Sequence, residues 1–286
     1  MDLLNDPGAA TALAGILGLI VGSFLNVVIL RMPARLMHAW RQQSRELLEL
    51  PDESNAAPPP SIVWEPSHCP HCKHKLGALE NIPLLSWIAL RGRCRHCKTP
   101  ISAQYPLVEL LTGLCSAAIV WKWGVTWQAA AGLPLTWTLI ALSGIDVRTQ
   151  FLPDQLTLPL LWGGLTLSLF PLFADSHESI LGALFGYLSL WSVYWLFKLV
   201  TGKEGMGHGD FKLLAALGAW MGSIALLPIV LLSSLVGAML GGAFLLLRGH
   251  GRATPIPFGP FLAAAGWVWF LSGDDLTAMY ARLVAQ

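Results

Sequence analysis

"GMGHGDFKLLAALGAWMGSIALLPIVLLSSLVGAMLGGAFLLL", residues 205–247, decides how this chain is read. After Lys212 it runs to Leu247 without a single Asp, Glu, Lys or Arg. As one helix, that run would be about 52 Å long at 1.5 Å per residue, well beyond the ~30 Å hydrocarbon core of a bilayer. Gly222 and Pro228 offer a place to turn, so the run reads as two membrane spans. At its head, Asp210 stands behind the alternating glycines Gly205, Gly207 and Gly209. An acid at the mouth of an apolar segment, on so pliable a backbone, asks for an explanation.

The rest of the chain has the same character. Of its 286 residues, 54% are hydrophobic and 12% charged, about half the charged share of a soluble domain. Residues 7–30, 123–145, 155–174, 179–197 and 253–273 carry no charged side chain, and each is near the ~20 residues that cross a bilayer. A further span is expected around 103–121, where Glu109 interrupts an apolar pattern. The expectation is an all-α polytopic membrane protein of about eight transmembrane helices. The first span is too long for a signal peptide, and no A-x-A-like site follows it. A net charge of +1 gives no footprint for nucleic acid.

Lysine and arginine placement sets the orientation. With the N-terminus outside, all of the 18 Lys and Arg except Lys122 and Arg282 fall in cytoplasmic loops or at helix ends facing them. The opposite orientation would break the positive-inside rule. Both termini are therefore expected outside. Three regions follow: residues 1–30 as the first span, 31–102 as a long cytoplasmic loop, and 103–286 as a seven-helix membrane domain. The loop opens with "RMPARLMHAWRQQSREL", where Leu36, Met37 and Trp40 could share a helix face. That pattern suits an interfacial helix on anionic lipid, or else a partner surface. "PDESNAAPPP" follows as a spacer. No internal repeat is evident.

Within the loop, "CPHCKHK" and "CRHCKTP" supply Cys69, Cys72, Cys94 and Cys97. Two C-x-x-C turns can offer four thiolates to one tetrahedral zinc ion, and the cytoplasm disfavours the alternative of disulfides. Four thiolates leave no open position, so the metal is expected to be structural. His68, His71, His74 and His96 lie close by, but the quartet is complete without them. Cys115, alone in an apolar run, reads as packing.

Ionisable groups at membrane depth are costly and are functional candidates by default. Three places qualify: Glu109, Asp146 with nearby Asp154, and Asp210. Asp146 and Asp210 both fall at cytoplasmic ends of their spans. Two carboxylates brought together there could share one proton and do acid–base work on a peptide bond. The bland alternative is two separate acids paired with Arg148 and Lys212. Gly205, Gly207 and Gly209 would permit close approach or a positive φ, and a helix N-terminus would favour the Asp210 charge. Asp154 follows Pro153 and is expected to be an N-cap. "GMGHGD" lacks the preceding strand and spacing of a nucleotide-binding loop.

These residues resemble a known family. "GSFLNVVILRMP" at 22–33, the C-x-x-C pairs, "NIPLLSW" at 81–87, "PISAQYPLVELLTG" at 100–113, "GIDVRTQFLPDQLTLP" at 144–159 and "GHGDFKLLAALGAW" at 207–220 together resemble the prepilin leader peptidases. These are intramembrane aspartic proteases with a Gly-x-Gly-Asp signature. The resemblance implies that Asp146 and Asp210 are the catalytic pair and that Asp154 is not catalytic. It implies cleavage of the basic leader of type IV prepilins and type II secretion pseudopilins, after a glycine, at the cytoplasmic face of the bacterial inner membrane. It also implies N-methylation of the new N-terminus with S-adenosylmethionine, because methylating members carry the four-cysteine loop. The sequence itself shows no methyl-donor fold. Glu109 and Asn26 could line the methylation site or act as interhelical hydrogen-bond glue. His208 departs from the tyrosine that many members carry between the glycines. The rival expectations are a peptidase without methyl transfer, a proton-coupled transporter that uses the buried acids as a relay, and a non-enzymatic assembly subunit.

Overall fold

The structure is a computed structural model and describes residues 6–50, 58–248 and 257–284. The described residues form helices and no sheet; two isolated bridges, His68–Lys75 and Arg93–Pro100, are the only β-type pairings among them. The chain divides into two compact units, Met1–Val125 and Thr126–Gln286. The expected all-α class holds.

In the first unit, α1 (Pro7–Leu47) is a single 41-residue helix. The Asp6 carboxylate caps it by accepting the N–H groups of Gly8 and Ala9 at 3.3 and 3.1 Å, and Pro7 takes the first helical position, where its missing N–H costs nothing. At about 62 Å the helix is twice the thickness of a bilayer core. It does not stop near residue 30 as the sequence suggests. It continues through Pro33, and "RMPARLMHAWRQQSREL" is its second half rather than a separate interfacial helix. The extension is held from the side. Arg31 donates to the carbonyls of Ser61, Glu65 and Pro66, and Arg35 to that of Pro59.

A five-residue helix, α2 (Leu85–Ala89), lies in the loop, and α3 (Gln104–Trp123) returns antiparallel along α1. Gly15 faces Gly113 and Ala117, Gly18 faces Thr112 and Ser116, and Gly22 faces Glu109, so the numbering falls on one helix as it rises on the other. A Cβ on Gly22 would lie 2.7 Å from the Glu109 Cα. Small residues let two backbones approach this closely where lipid supplies no hydrophobic drive between helices.

The second unit contains α4 (Trp127–Thr149), α5 (Asp154–Leu167), α6 (Ser176–Thr201), α7 (His208–Met221), α8 (Leu226–Arg248) and α9 (Gly259–Val284). Helices thus occupy all eight stretches expected from the sequence. Four apolar helical stretches among the described residues, Pro7–Leu47, Trp127–Thr149, Ser176–Thr201 and Ser223–Leu240, are long and apolar enough to cross a membrane. By contrast, α5 and α7 have 14 residues each, about 21 Å, and are short of a full crossing. The uncharged run after Lys212 does break where expected: Gly222 ends α7 at φ 80°, a conformation few other residues tolerate.

The short helix α7 is the core of this unit. Ten of its 14 residues are buried, including Phe211 and the continuous run Leu213–Trp220. A helix that is apolar all round must be enclosed, and α5, α6 and α9 pack on it. Gly182 of α6 meets Gly218 of α7 backbone to backbone, and Gly186 rides over Leu214. Polar ties fix the register: Ser179 Oγ donates to the Ala219 carbonyl (2.6 Å) and Trp220 Nε1 to that of Leu160 (2.7 Å).

Candidate functional site

The four cysteines of the loop converge. Their sulfurs all lie within 4.8 Å of one another, with Cys69 to Cys97 at 3.8 Å and Cys72 to Cys94 at 4.0 Å. A tetrahedral ion with metal–sulfur bonds of ~2.3 Å needs sulfurs about 3.8 Å apart, so the cluster fits such an ion. The two turns are built alike. Cys69 N–H donates to the His74 carbonyl and Cys94 N–H to that of Thr99; Lys73 N–H donates to Cys69 and Lys98 N–H to Cys94. Lys73 and Lys98 share a φ of 59°. This is a structural duplication that the sequence reading did not find, although "CPHCKHK" and "CRHCKTP" carry it.

The Thr99 hydroxyl and N–H, with a further contribution from the neighbouring thiols, bring the Cys97 thiol down to about 5. Cys69 is also lowered, first by the backbone N–H of Cys72. Cys72 is pushed the other way, up to about 11, by burial and its neighbouring thiols. The four histidines stay outside the cluster, as expected. His74 and His96 stack at 5.1 Å and line an open groove of about 650 Å³ with Lys75, Glu80 and Arg95.

In the second unit, Asp146 occupies the last turn of α4 and Asp210 the first turn of α7. Both carboxylates are buried, at 5% and 7% exposure, and the charge of Asp146 acts on Asp210. One side chain connects the two neighbourhoods. Leu152, in the link from α4 to α5, sits 2.7 Å from where a Cβ on Gly209 would be and 3.2 Å from where one on Gly259 would be. Gly259, the first residue of α9, donates its N–H to Asp146 Oδ2 at 3.0 Å.

One expectation needs correction, and two open alternatives are decided. Asp154 is not an N-cap. Pro153 holds that position without a side-chain bond, and Asp154 is the first residue of α5. Its carboxylate instead takes both short bonds from Lys212 Nζ, at 2.6 and 2.8 Å. Lys212 is therefore engaged by Asp154 rather than Asp210. The helix turns this pairing out: Lys212 lies two residues beyond Asp210, which places it on a different face. Finally, Gly205, Gly207 and Gly209 do not adopt positive φ. Gly205 and Gly209 serve close approach: a Cβ on them would lie 2.8 Å from the Phe197 ring and 2.7 Å from the Leu152 Cβ, while Gly207 is the extended N-cap of α7.

His208 packs against the rings of Tyr194 (5.0 Å) and Phe211 (5.4 Å). Lys198 donates to Tyr194 Oη and to Glu204, at 3.2 and 2.9 Å. Asn26 and Glu109 act as ties in the first unit. Asn26 Nδ2 donates to the Tyr105 carbonyl across the α1–α3 contact (3.0 Å), and Glu109 Oε2 accepts the Leu84 N–H (2.8 Å). Sequence reasoning missed Leu152, Tyr194 and Gly259. Leu152 lies inside the quoted "FLPD", and the Gly-Pro at 259–260 opening an apolar run was the available signal for Gly259.

Together these features define a class: a helical membrane protein with two buried carboxylates at helix ends, near enough for the charge of one to act on the other, and a four-thiol lobe able to hold a metal. The comparisons narrow the class. Residues 16–123 match the bacterial peptidase A24 N-terminal domain, and residues 133–242 match the type IV leader peptidase family. A prepilin leader peptidase/N-methyltransferase of Xanthomonas campestris pv. campestris is 58% identical over 97% of this chain and 96% of its own. Proteins of the same name from Stutzerimonas stutzeri and Pseudomonas aeruginosa are 56% and 54% identical, each over 98% of this chain and 96% of their own. No solved structure gives a significant match. The chain belongs to the type IV leader peptidase family.

Proposed function

We propose that this chain cleaves the basic leader from type IV prepilins and type II secretion pseudopilins, after a glycine, and N-methylates the residue so exposed. Its near-full-length similarity to proteins named for both activities supports the two together. The observation that carries the peptidase half is the buried Asp146–Asp210 arrangement around Leu152. Two carboxylates in mutual reach hold one proton between them. The ionised member takes a proton from water as the water oxygen attacks the scissile carbonyl, and the protonated member gives its proton to the carbonyl oxygen. Collapse of the resulting diol breaks the C–N bond. The amine leaves with the proton taken from water, and a hydroxyl proton restores the starting pair.

Cys69, Cys72, Cys94 and Cys97 are the ligands of one zinc ion. Its saturated thiolate set makes it a fold-holding metal for a lobe too small to have its own core. S-adenosylmethionine supplies the methyl group for the second activity. The Lys/Arg distribution supports a multi-pass protein of the bacterial inner membrane, with a periplasmic N-terminus and the acids at the cytoplasmic face. Residues 31–102 serve methylation, and 103–286 carry the peptidase. The deciding experiment incubates purified protein with a prepilin and S-adenosylmethionine and measures product masses. Loss of the leader plus one methyl increment is expected; an unchanged prepilin mass would refute the proposal.

A further inference from the structure

Asp146 and Asp210 are not equivalent. Gly259 N–H donates to Asp146 Oδ2 at 3.0 Å, and a Cβ on Gly259 would lie 2.7 Å from that same oxygen. Residue 259 therefore gives the carboxylate a fixed donor and also requires that no side chain stand in the way. The Asp210 carboxylate also has a backbone N–H beside it, that of Gly207, but among the described residues no hydrogen bond to that carboxylate matches the geometry of the Gly259–Asp146 bond. Both acids face a helix N-terminus: Asp210 lies in the first turn of α7, and Asp146 faces the first residue of α9. Those two dipoles offset one another. Asp146 also sits in the last turn of α4, where that helix's own dipole opposes a negative charge, but this effect is smaller than a direct hydrogen bond to a charged oxygen.

The remaining charged groups do not supply the asymmetry. Asp154, from α5, is held by Lys212. Arg148 is exposed, two residues on in α4. His208 stacks on Tyr194 and Phe211. Asp275 lies about four turns along α9.

We propose that Gly259 is a positioning residue: its backbone N–H holds Asp146 as the ionised member of the pair. Asp146 is then the base that takes the proton from water, and Asp210 is the acid that protonates the scissile carbonyl oxygen. On collapse, Asp146 gives that proton to the departing amine and Asp210 recovers its own from the diol. This rests on the Asp146–Asp210 peptidase reading and deepens it. A hydrogen bond to the charged form favours that form, so disturbing it must show in the pH dependence and not only in the rate.

The test uses full-length enzyme in detergent with a prepilin, comparing wild type, Gly259→Ala, Gly259→Pro and Asp146→Asn. Gly259→Ala retains the N–H but pushes the carboxylate off it. Gly259→Pro removes the N–H at a first helical position that accepts proline. For Gly259→Ala, kcat should fall about tenfold or more with KM within about twofold, the signature of an interaction used in the transition state. The low-pH limb of kcat/KM should move up by about one pH unit, the shift that loss of a charge-assisted hydrogen bond produces. Gly259→Pro should move it at least as far. A rate loss with the limb unmoved would mean a packing role alone and would overturn the proposal. Full cleavage by Asp146→Asn would instead overturn the parent reading. Should the Gly259 variants fail to fold, difference infrared spectroscopy decides the matter without them. The protonated-carboxyl band should vanish in Asp210→Asn and persist in Asp146→Asn; the reverse pattern would overturn the assignment.

Discussion

Lys212 donates to both carboxylate oxygens of Asp154, at 2.6 and 2.8 Å, and so ties the start of α5 to the N-terminal half of α7. The only lysine near Asp210 on its own helix is thereby occupied. The third acid of the region is neutralised without belonging to the buried pair. Asp154→Asn should keep cleavage within about threefold of wild type. The ion pair is partly solvated, and such pairs contribute about 0–1 kcal/mol. Cleavage kinetics and a melting curve check this. A hundredfold loss of kcat in a normally folded Asp154→Asn protein would move the acid into the active pair.

Asp146→Asn and Asp210→Asn should each lower prepilin cleavage by about a thousandfold or more, because an amide can neither hold nor hand over the shared proton. The double variant should be no worse than either single, as the pair works as a unit. Methyl transfer to a pre-cleaved pilin should persist in all three. Near-normal cleavage by either single variant would exclude a two-aspartate mechanism.

Purified protein should hold about one zinc per chain, the number that four convergent thiols complete. Cys72→Ser or Cys97→Ser should reduce that content and depress methyl transfer more than cleavage. Protons compete with the metal for sulfur. Zinc should therefore be retained near pH 7 and released on acidification, as the four thiolates take up protons. Metal analysis after dialysis across that range reads this directly, and full zinc content in a quadruple Cys→Ser protein would exclude the site.

Gly182→Val should destabilise the second unit. The added side chain would strike the Gly218 carbonyl and the start of the turn at Gly222, and overpacking of this kind costs about 1–3 kcal/mol or more. Thermal unfolding in detergent should show a lowered midpoint together with reduced cleavage, while zinc content stays normal. An unchanged midpoint would mean that the α6–α7 contact is looser than its geometry.

Reporter fusions after residues 75, 203 and 250 should read cytoplasmic, and those after 123, 176 and 286 periplasmic, following the Lys/Arg asymmetry. A periplasmic signal at residue 203 would put Asp210 on the wrong side for a cytoplasmic leader.

Local chemistry made much of this protein legible from its sequence. Apolar stretches located helices in all eight places, because an apolar segment with little charge has few other places to be, but they did not show that α5 and α7 are only 14 residues long. C-x-x-C spacing foretold the thiol cluster, because each turn fixes its own two sulfurs. Asp146 and Asp210 stood out because buried acids are expensive. Other features lay outside any local pattern. That α1 continues through Pro33 depends on Arg31 and Arg35 finding carbonyls some 24 to 35 residues away. That Lys212 chooses Asp154, 58 residues distant, and that Gly259 reaches Asp146 across 113 residues, were settled by how α4, α5, α7 and α9 pack. Periodicity reports which face of a helix is apolar, but not which partner covers it. A hydrogen bond between helix ends is decided at a scale of tenths of an ångström, by side chains and close backbone approaches that no single segment contains.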